Sequence, residues 1–384
     1  MRALTYEGPG RVRVRDKPDP RIEHPDDVIL RVTRAAICGS DLHLFHGLVP
    51  DTRVGTTFGH EFTGVVEELG AGVRSLARGD RVVVPFNISC GTCFYCARGL
   101  SGACEASNPM SDLASGVYGY SHTTGGYDGG QAEYVRVPFA DVGPTKIPED
   151  LTDEDVLLLS DVLPTGYQAA EMAGVRAGDA VAIFGCGPVG LVAARAAWLL
   201  GAGRVVALDR VAERLAFARR WAGAETIDLA RVRDPVAALR TLNDGRGPDA
   251  CVDAVGLEAS GSAWQTVVGR GLKLVPGSAV ALAWAIHAVR KGGTVSIVGV
   301  YGPPANPVPI GAAMNKGLTL RMAQSNVKRY VPHLIDLVRA GRLDGKGLIT
   351  HRFPLEHAPR AYALFEARAD GCVKCVLVPP RAVA

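Results

Sequence analysis

The segment Val181-Ala-Ile-Phe-Gly-Cys-Gly-Pro-Val-Gly190 places a G-x-G-x-x-G turn between a predicted strand, Ala180 to Phe184, and a predicted helix, Pro188 to Leu200. This position between strand and helix distinguishes the turn from a chance glycine loop. A second predicted pair follows, with a strand over Arg204 to Leu208 and a helix over Ala212 to Trp221. Such alternation predicts a parallel sheet with helices on both faces.

Each fixed residue of the turn has a physical task. Gly185 permits the tight turn, Gly187 lets the backbone approach a pyrophosphate, and Gly190 lets the helix pack closely on the strand. Pro188 and Val189 open the helix, whose amino terminus offers free N–H groups to phosphates. The turn therefore predicts a dinucleotide site, and a glycine turn without a ligand is the alternative.

An acidic residue after the second strand indicates which dinucleotide is bound. Asp209 follows Gly190 by 19 residues, where a carboxylate can accept a hydrogen bond from a ribose 2′-hydroxyl. Its charge would repel a 2′-phosphate, which favours NAD. Arg210 and Arg214 leave NADP open as the alternative.

Composition limits the remaining possibilities. The 384 residues predict two or three domains, and 47% hydrophobic and 21% charged residues exclude a disordered chain. A formal net charge of +3 argues against a nucleic-acid-binding protein. The segment 1–14 lacks a secretion-signal pattern, and the longest apolar run, Ala279 to Ile286, is too short to span a membrane. We expect a cytoplasmic protein that does not bind membranes.

Four of the nine cysteines follow the spacing C-x2-C-x2-C-x7-C: Cys90, Cys93, Cys96 and Cys104. Four thiolates can close a tetrahedral shell, which predicts a structural zinc site. An iron–sulfur cluster and a nucleic-acid-binding zinc ribbon are the alternatives. Cys372 and Cys375 also form a C-x2-C pair, but they lie in a predicted strand, where residues three apart face opposite sides. We interpret these two as packing thiols.

Two further segments carry metal-ligand residues: Ile37-Cys-Gly-Ser-Asp-Leu-His43, and Gly59-His-Glu-x2-Gly-x5-Gly-x2-Val73. With the cysteine lobe and the glycine turn, they make the whole chain resemble the zinc-containing medium-chain alcohol dehydrogenases. It is most similar to the glutathione-independent formaldehyde dehydrogenases, on account of Asp161 within Leu159 to Tyr167, and of Tyr118-Gly-Tyr120 ahead of the Gly129 to Tyr134 segment.

The resemblance implies an α/β protein of two domains. Residues 1–154 and 300–384 would form a GroES-like, mainly-β catalytic domain that includes the zinc lobe. Residues 155–299 would form a doubly wound parallel-sheet (Rossmann) cofactor domain. The active site would lie in the cleft, and the protein would be a homodimer or homotetramer.

The resemblance also implies the ligands of a catalytic zinc: Cys38, His60 and Asp161, with a fourth place for water or substrate. Asp161 has an alternative role as an interdomain cap. Glu61 would take the open ligand position or support the ligands. Asp41 would accept a hydrogen bond from the second ring nitrogen of His60 and fix its tautomer.

The remaining roles concern the cofactor and the proton. Thr165 would lie under the nicotinamide ring, and Lys374 would contact the pyrophosphate, although alone it is typical of a solvated strand-edge lysine. Ser40, the cofactor ribose and His43 would relay the alcohol proton to solvent. Ser40 as a turn residue and His43 as a surface histidine are the alternatives.

The reaction implied is reversible oxidation of an alcohol, or of a hydrated aldehyde, with formaldehyde or another small substrate foremost. A polyol or secondary-alcohol dehydrogenase would share the same zinc and cofactor residues, and an NAD-binding sensor without activity is the alternative outside enzymes. A glycine- and serine-rich insertion, Val255 to Ala279, is expected to cover the adenine end of NAD and slow its release.

Overall fold

A computed structural model describes residues 1–49, 51–256, 279–301 and 308–380. The chain divides into two compact units, the first formed by Met1–Pro164 with Gln324–Ala384 and the second by Thr165–Ala323. Most of the insertion expected to cover NAD, residues 257–278, lies outside the described residues. Across the described ranges, no helix is long and apolar enough to cross a membrane.

The strands of the described chain, in order, are β1 Arg2–Tyr6, β2 Val12–Asp16, β3 Val28–Ala36, β4 Glu61–Leu69, β5 Arg81–Val84, β6 Tyr134–Val137, β7 Thr145–Lys146, β8 Ala180–Phe184, β9 Arg204–Asp209, β10 Glu225–Asp228, β11 Ala250–Asp253, β12 Thr294–Ile297, β13 Thr319–Met322, β14 His351–Pro354 and β15 Cys375–Val378.

The α-helices are α1 Gly39–Phe45, α2 Asp153–Val156, α3 Val162–Met172, α4 Pro188–Leu199, α5 Ala212–Phe217, α6 Pro235–Arg240, α7 Val280–Ala288, α8 Ile310–Asn315, α9 Val327–Arg339 and α10 Ala358–Ala367. Short 3₁₀ turns cover Cys96–Arg98, Ser101–Ala103, His122–Thr124, Leu157–Ser160, Lys346–Leu348 and Leu355–His357, and a π turn over Ala218–Ala222 follows α5.

The first unit is built on a mixed sheet in the order β14-β15-β3-β4-β5-β7, with β6 also paired to β3, and on a separate β1-β2 pair. Val28, Leu30 and Val32 alternate along β3 and are buried in the core of this sheet. The alternation is that of a strand with one face on a core. Only β14 and β15 run parallel among the pairs of this sheet in the described residues.

The second unit is built on a parallel sheet in the order β10-β9-β8-β11-β12-β13. All five residues of the central strand β8 are buried, so both of its faces are covered. A continuous apolar strand of this kind is typical of parallel sheets. The α/β class and the pairing of a mainly-β with a doubly wound unit are as predicted.

The unit boundaries differ from the predicted ones at 154 and 300. On the amino-terminal side, Phe86 N donates to Ser160 O at 2.8 Å, which ties the Leu157–Ser160 turn to the first unit. On the other side, β13 pairs in parallel with β12 and extends the sheet of the second unit as far as Met322. The boundaries therefore shift to 164 and 324, because hydrogen bonding across strands outweighs local composition.

Candidate active site and metal centres

The register of two antiparallel strands brings the candidate metal ligands together. Ala36 at the end of β3 faces Glu61 at the start of β4, so Cys38 and His60 lie side by side just beyond the paired ends. Gly59 makes this turn possible: its φ is +99°, and a Cβ there would lie 2.3 Å from Gln131. Sheet pairing thus unites two residues that are 22 positions apart.

Asp161 completes the group from the end of the Leu157–Ser160 turn. Its Oδ2 lies 3.7 Å from Cys38 Sγ and 3.3 Å from His60 Nε2. One ligand atom each from Cys38, His60, Glu61 and Asp161 lies within 4.8 Å of all the others. The predicted three ligands and the neighbouring glutamate therefore surround one point.

A buried polar network holds these ligands in place. Asp41 Oδ2 accepts from Cys38 N at 3.0 Å and from Gln131 Nε2 at 3.2 Å, while Asp41 Oδ1 lies 3.2 Å from His60 Nδ1. Gln131 Oε1 in turn accepts from the Tyr362 hydroxyl at 2.8 Å. The sequence assigns no role to Gln131 or Tyr362, because they lie far along the chain in no motif spacing with Cys38 or His60. Asp41 lies beside the histidine, but neither Asp41 Oδ1 nor His60 Nδ1 meets hydrogen-bond geometry among the described residues, so the predicted hydrogen bond stays a prediction.

The electrostatics of this group fit a divalent cation. Burial opposes protonation of His60, but the charges of Asp41 and Cys38 outweigh it and raise its pKa well above the usual range. Burial raises the pKa of the Cys38 thiol, against the lowering effects of Lys374 and His60. A proton on the imidazole balances the negative charges of Asp41 and Cys38, and a bound metal ion would balance the same charges. Thiolate, imidazole and carboxylate are zinc ligands, and three of them leave a place open.

Lys374 is buried, so the alternative of a solvated strand-edge lysine is wrong. Its side chain is 1% exposed, and Nζ lies 2.5 Å from Glu61 Oε1. A buried ammonium requires a paired anion, and Glu61 supplies it, so the lysine is held beside the candidate metal ligands. Its predicted contact with the pyrophosphate stays a prediction. The second oxygen, Glu61 Oε2, is buried and has no hydrogen-bond partner among the described residues. This oxygen suits a cation in the group.

The cysteine lobe forms a second group of ligands. The Sγ atoms of its four cysteines all lie within 4.8 Å of one another. Backbone N–H groups point at the sulfurs: Cys90 N to Cys104 Sγ and Cys93 N to Cys90 Sγ, both at 3.3 Å. Burial opposes ionisation of Cys93, but hydrogen bonds, first from the backbone of Cys96, lower its pKa to about 6. Burial raises the pKa of Cys96, so the fit to a metal rests on the closeness of the four sulfurs and not on their ionisation.

The prediction that Cys372 and Cys375 face opposite sides of a strand is wrong. Their Sγ atoms lie 3.4 Å apart. Strand β15 begins only at Cys375, and Cys372 lies in the turn before it, where the alternation of a strand does not apply.

Helix α1 carries the two residues predicted to move the proton. Ser40 and His43 are three positions apart, which places them on the same side of the helix. Ser40 is partly exposed, whereas the His43 side chain is largely buried.

The glycine turn of the second unit has the predicted stereochemistry. Gly185 has a φ of +95°, and Gly187 precedes α4, which begins with Pro188. A Cβ on Gly190 would lie 1.9 Å from Gly185 O, whereas one on Gly187 would meet only Arg214 Nη1, at 3.9 Å. Gly190 is therefore needed for packing, and Gly187 leaves the backbone open to a ligand.

Asp209 borders this turn at the end of β9. Its Oδ2 accepts from Cys186 N at 2.8 Å, and its Oδ1 accepts from Arg210 N at 2.7 Å and Val211 N at 3.0 Å. These bonds fix the carboxylate beside the glycine turn. Of the other predicted cofactor residues, Val189 lies in the first turn of α4 and Thr165 in the first turn of α3, and both are partly exposed.

Comparison with known proteins supports both the unit that carries the candidate metal ligands and the unit that carries the glycine turn. Residues 24–149 match the alcohol dehydrogenase GroES-like domain, and residues 188–275 match the zinc-binding dehydrogenase family. A zinc-type alcohol dehydrogenase-like protein of Bacillus subtilis is 44% identical over 381 residues, which cover 99% of this chain and 100% of that protein. The glutathione-independent formaldehyde dehydrogenase of Pseudomonas aeruginosa is 38% identical, with 95% of each chain covered. A solved alcohol dehydrogenase from Thermus sp. ATN1 superposes with a TM-score of 0.86 at 39% identity, covering 99% of this chain and all of that one.

Proposed function

We propose, on the premise that the chain belongs to the zinc-type medium-chain alcohol dehydrogenases, that it transfers a hydride between a small alcohol or hydrated aldehyde and NAD. Membership makes the protein a zinc-dependent alcohol oxidoreductase with a nicotinamide cofactor. The assignment of a catalytic zinc rests on one observation, the convergence of Cys38, His60 and Asp161 on a single point, with Asp41 beside Cys38 and His60.

Zinc held by these three ligands would act as a Lewis acid and lower the pKa of an alcohol hydroxyl. The chain's own residues then have to remove the proton. Ser40, two positions after Cys38, would accept it from the substrate hydroxyl, and the cofactor ribose would pass it on to His43, on the same side of α1 as Ser40. Bound nicotinamide would supply the acceptor for the hydride that the alcohol carbon loses, which balances the two-electron oxidation.

Glu61 and Lys374 adjust this site. Lys374 holds Glu61 Oε1, while Oε2 is buried and has no hydrogen-bond partner among the described residues. We assign Glu61 the task of contributing an oxygen ligand while water and substrate exchange. Lys374 keeps the carboxylate ionised during that exchange, since burial raises the pKa of Glu61 and the ammonium opposes this effect.

The cofactor assignment to NAD rests on Asp209. Its fixed carboxylate would repel the 2′-phosphate of NADP and can accept from the 2′-hydroxyl of NAD. Arg210 and Arg214 are the cationic residues near enough in sequence to favour NADP instead. Binding of both cofactors to wild type and to Asp209→Ala distinguishes them: NAD binding weakens in the variant if the assignment is correct.

The substrate assignment to a small molecule rests on the surroundings of His60. The rings of Phe86 and Tyr120 pack against its imidazole edge-on, with centroid distances of 5.8 and 6.5 Å. Bulky aromatic walls beside a metal ligand favour a compact substrate. Formaldehyde is the foremost candidate, because the chain is 38% identical to a formaldehyde dehydrogenase.

A substrate panel combined with metal analysis tests the function. Wild type, Cys38→Ser and the matched control Cys251→Ser are assayed by NADH absorbance with formaldehyde, primary alcohols, secondary alcohols and polyols. Cys251 is buried in the second unit, outside the groups of candidate metal ligands among the described residues. We expect turnover of small substrates by wild type and control, and loss of turnover and of one zinc per chain in Cys38→Ser. Turnover unchanged in Cys38→Ser contradicts the assignment, and preferred turnover of polyols contradicts the substrate class.

A further inference from the structure

Two cysteines and a histidine meet near the carboxyl end of the first unit, in a group separate from the two metal centres above. Cys372 Sγ and Cys375 Sγ lie 3.4 Å apart, and a ring nitrogen of His351 lies within 4.8 Å of both sulfurs. Cys372 is 4% exposed and Cys375 is fully buried, whereas His351 reaches the surface. The group is therefore open to small ions on one side and closed on the other.

The backbone fixes the positions of all three side chains. His351 and Cys375 are directly paired across the parallel strands β14 and β15. Thr350 holds the turn before β15, because its Oγ1 accepts from Val373 N at 3.0 Å and lies 3.0 Å from His351 Nδ1. Two strands and one hydroxyl thus present the ligand atoms to a common point without rearrangement of the chain.

The chemistry and spacing of the group match a thiophilic metal ion. Two thiolates and an imidazole are ligands that zinc takes in proteins, and C-x2-C is a common spacing for them. Sulfurs bound to one zinc at about 2.3 Å and at tetrahedral angles are separated by about 3.8 Å, close to the distance found here. A fourth ligand is near, since Asp370 Oδ2 lies 3.9 Å from His351 Nε2 on an exposed side chain.

We propose that His351, Cys372 and Cys375 form a third metal site that binds one thiophilic divalent cation such as Zn²⁺, with Asp370 or water as the fourth ligand. Binding forms two metal–sulfur bonds and one metal–nitrogen bond and releases the two thiol protons to solvent. The ion would link Cys372 to Cys375 and so stabilise the turn between them, which contains Lys374.

Metal content measured on matched variants tests the site. Wild type, Cys372→Ser, His351→Asn and Cys251→Ser are saturated with Zn²⁺, desalted and analysed for zinc per chain, with thermal melting as a check on folding. We expect Cys372→Ser and His351→Asn to contain one zinc fewer than wild type, and Cys251→Ser to match wild type. Equal zinc contents in wild type and His351→Asn overturn the proposal. Zinc content is measured without turnover, so a negative result for this third site would leave the proposed function unaffected.

A second measurement uses wild type alone, in case a variant does not fold. Alkylation of Cys372 and Cys375 is followed by peptide mass after zinc loading and after treatment with a strong chelator. Alkylation at least about tenfold slower in the loaded protein supports the site. Equal rates overturn it, and so does a peptide lighter by two hydrogens, which would show that the thiols form a disulfide instead.

Discussion

Replacement of Gly190 by alanine is expected to destabilise the second unit. The new Cβ would lie 1.9 Å from Gly185 O, although real Cβ atoms essentially never approach another atom within 3.0 Å. The atom that it meets is backbone, which cannot rotate away, so α4 and the end of β8 must separate by about 1 Å. Forced repacking of this kind costs about 3 kcal/mol, the upper end of the usual range. For a domain of this size, that cost lowers Tm by about 6–12 °C.

Gly187 provides a control within the same motif. A Cβ there would have Arg214 Nη1 as its nearest neighbour, at an ordinary contact distance of 3.9 Å, and the φ of Gly187 is −72°, which any residue adopts. Gly187→Ala should therefore melt within about 2 °C of wild type. Its methyl group would stand where the pyrophosphate approaches, and we expect NAD affinity to fall about tenfold, or about 1.4 kcal/mol.

Scanning calorimetry and isothermal titration with NAD measure the two effects separately. The expected pattern is a lowered melting transition in Gly190→Ala, and weakened NAD binding with unchanged melting in Gly187→Ala. A Gly190→Ala protein that melts like wild type would refute the packing role. Melting of Gly187→Ala as low as that of Gly190→Ala would refute the distinction between the two glycines.

Three further changes test the first unit. Asp41→Asn removes the carboxylate that orients the metal ligands and should weaken zinc binding about 10–100-fold in chelator competition. Lys374→Met leaves the Glu61 carboxylate buried without its counter-ion and should destabilise the metal-free protein by about 3–5 kcal/mol in denaturant titrations, and adding Glu61→Gln should restore most of the loss. Hydrogen bonds from Arg352 lower the pKa of Glu154, so its contribution is present above the ordinary glutamate pKa and is lost as pH falls through the lowered value. The Tm difference between wild type and Glu154→Gln should therefore shrink in acid.

Each of these variants has a matched control on the surface. Asp244→Asn alters a side chain that is 84% exposed and should leave zinc affinity unchanged. Lys146→Met breaks an exposed ion pair with Asp80 and should cost no more than about 1 kcal/mol. Glu149→Gln makes the same change of charge at an exposed position and is the matched control for Glu154→Gln. Unaltered zinc affinity in Asp41→Asn would contradict the role of Asp41 at the metal ligands. No recovery of stability on adding Glu61→Gln to Lys374→Met would contradict the cost of the unpaired carboxylate. A Tm difference for Glu154→Gln that grows in acid would contradict the lowered pKa of Glu154.

Much of the fold is predictable from local pattern. The predicted bounds of β8 agree with the structure, α4 ends one residue earlier than predicted, and β9 ends one residue later. The strand predicted to contain Cys372 and Cys375 begins only at Cys375, because the turn before it is held by Thr350. Strand β13 is not predicted, since its four residues are mostly exposed and form a strand only by pairing with β12.

The candidate site is predictable to a smaller extent. Resemblance to a family supplies Cys38, His60 and Asp161, and the structure brings them together. It does not supply Gln131, nor the ion pair between Lys374 and Glu61, which lie 313 positions apart in the chain. Contacts of such long range depend on strand register, which local composition does not encode.

By itself, the sequence determined the glycine turn, the four-cysteine lobe and the alternation of strands and helices, because each depends on residues close together in the chain. The tertiary structure alone decided which distant side chains share a site. Pairing of β3 with β4 placed Cys38 beside His60, and pairing of β14 with β15 placed His351 beside Cys375. Sheet register determines these contacts, since a shift of one residue in the strand pairing would turn each side chain to the opposite face.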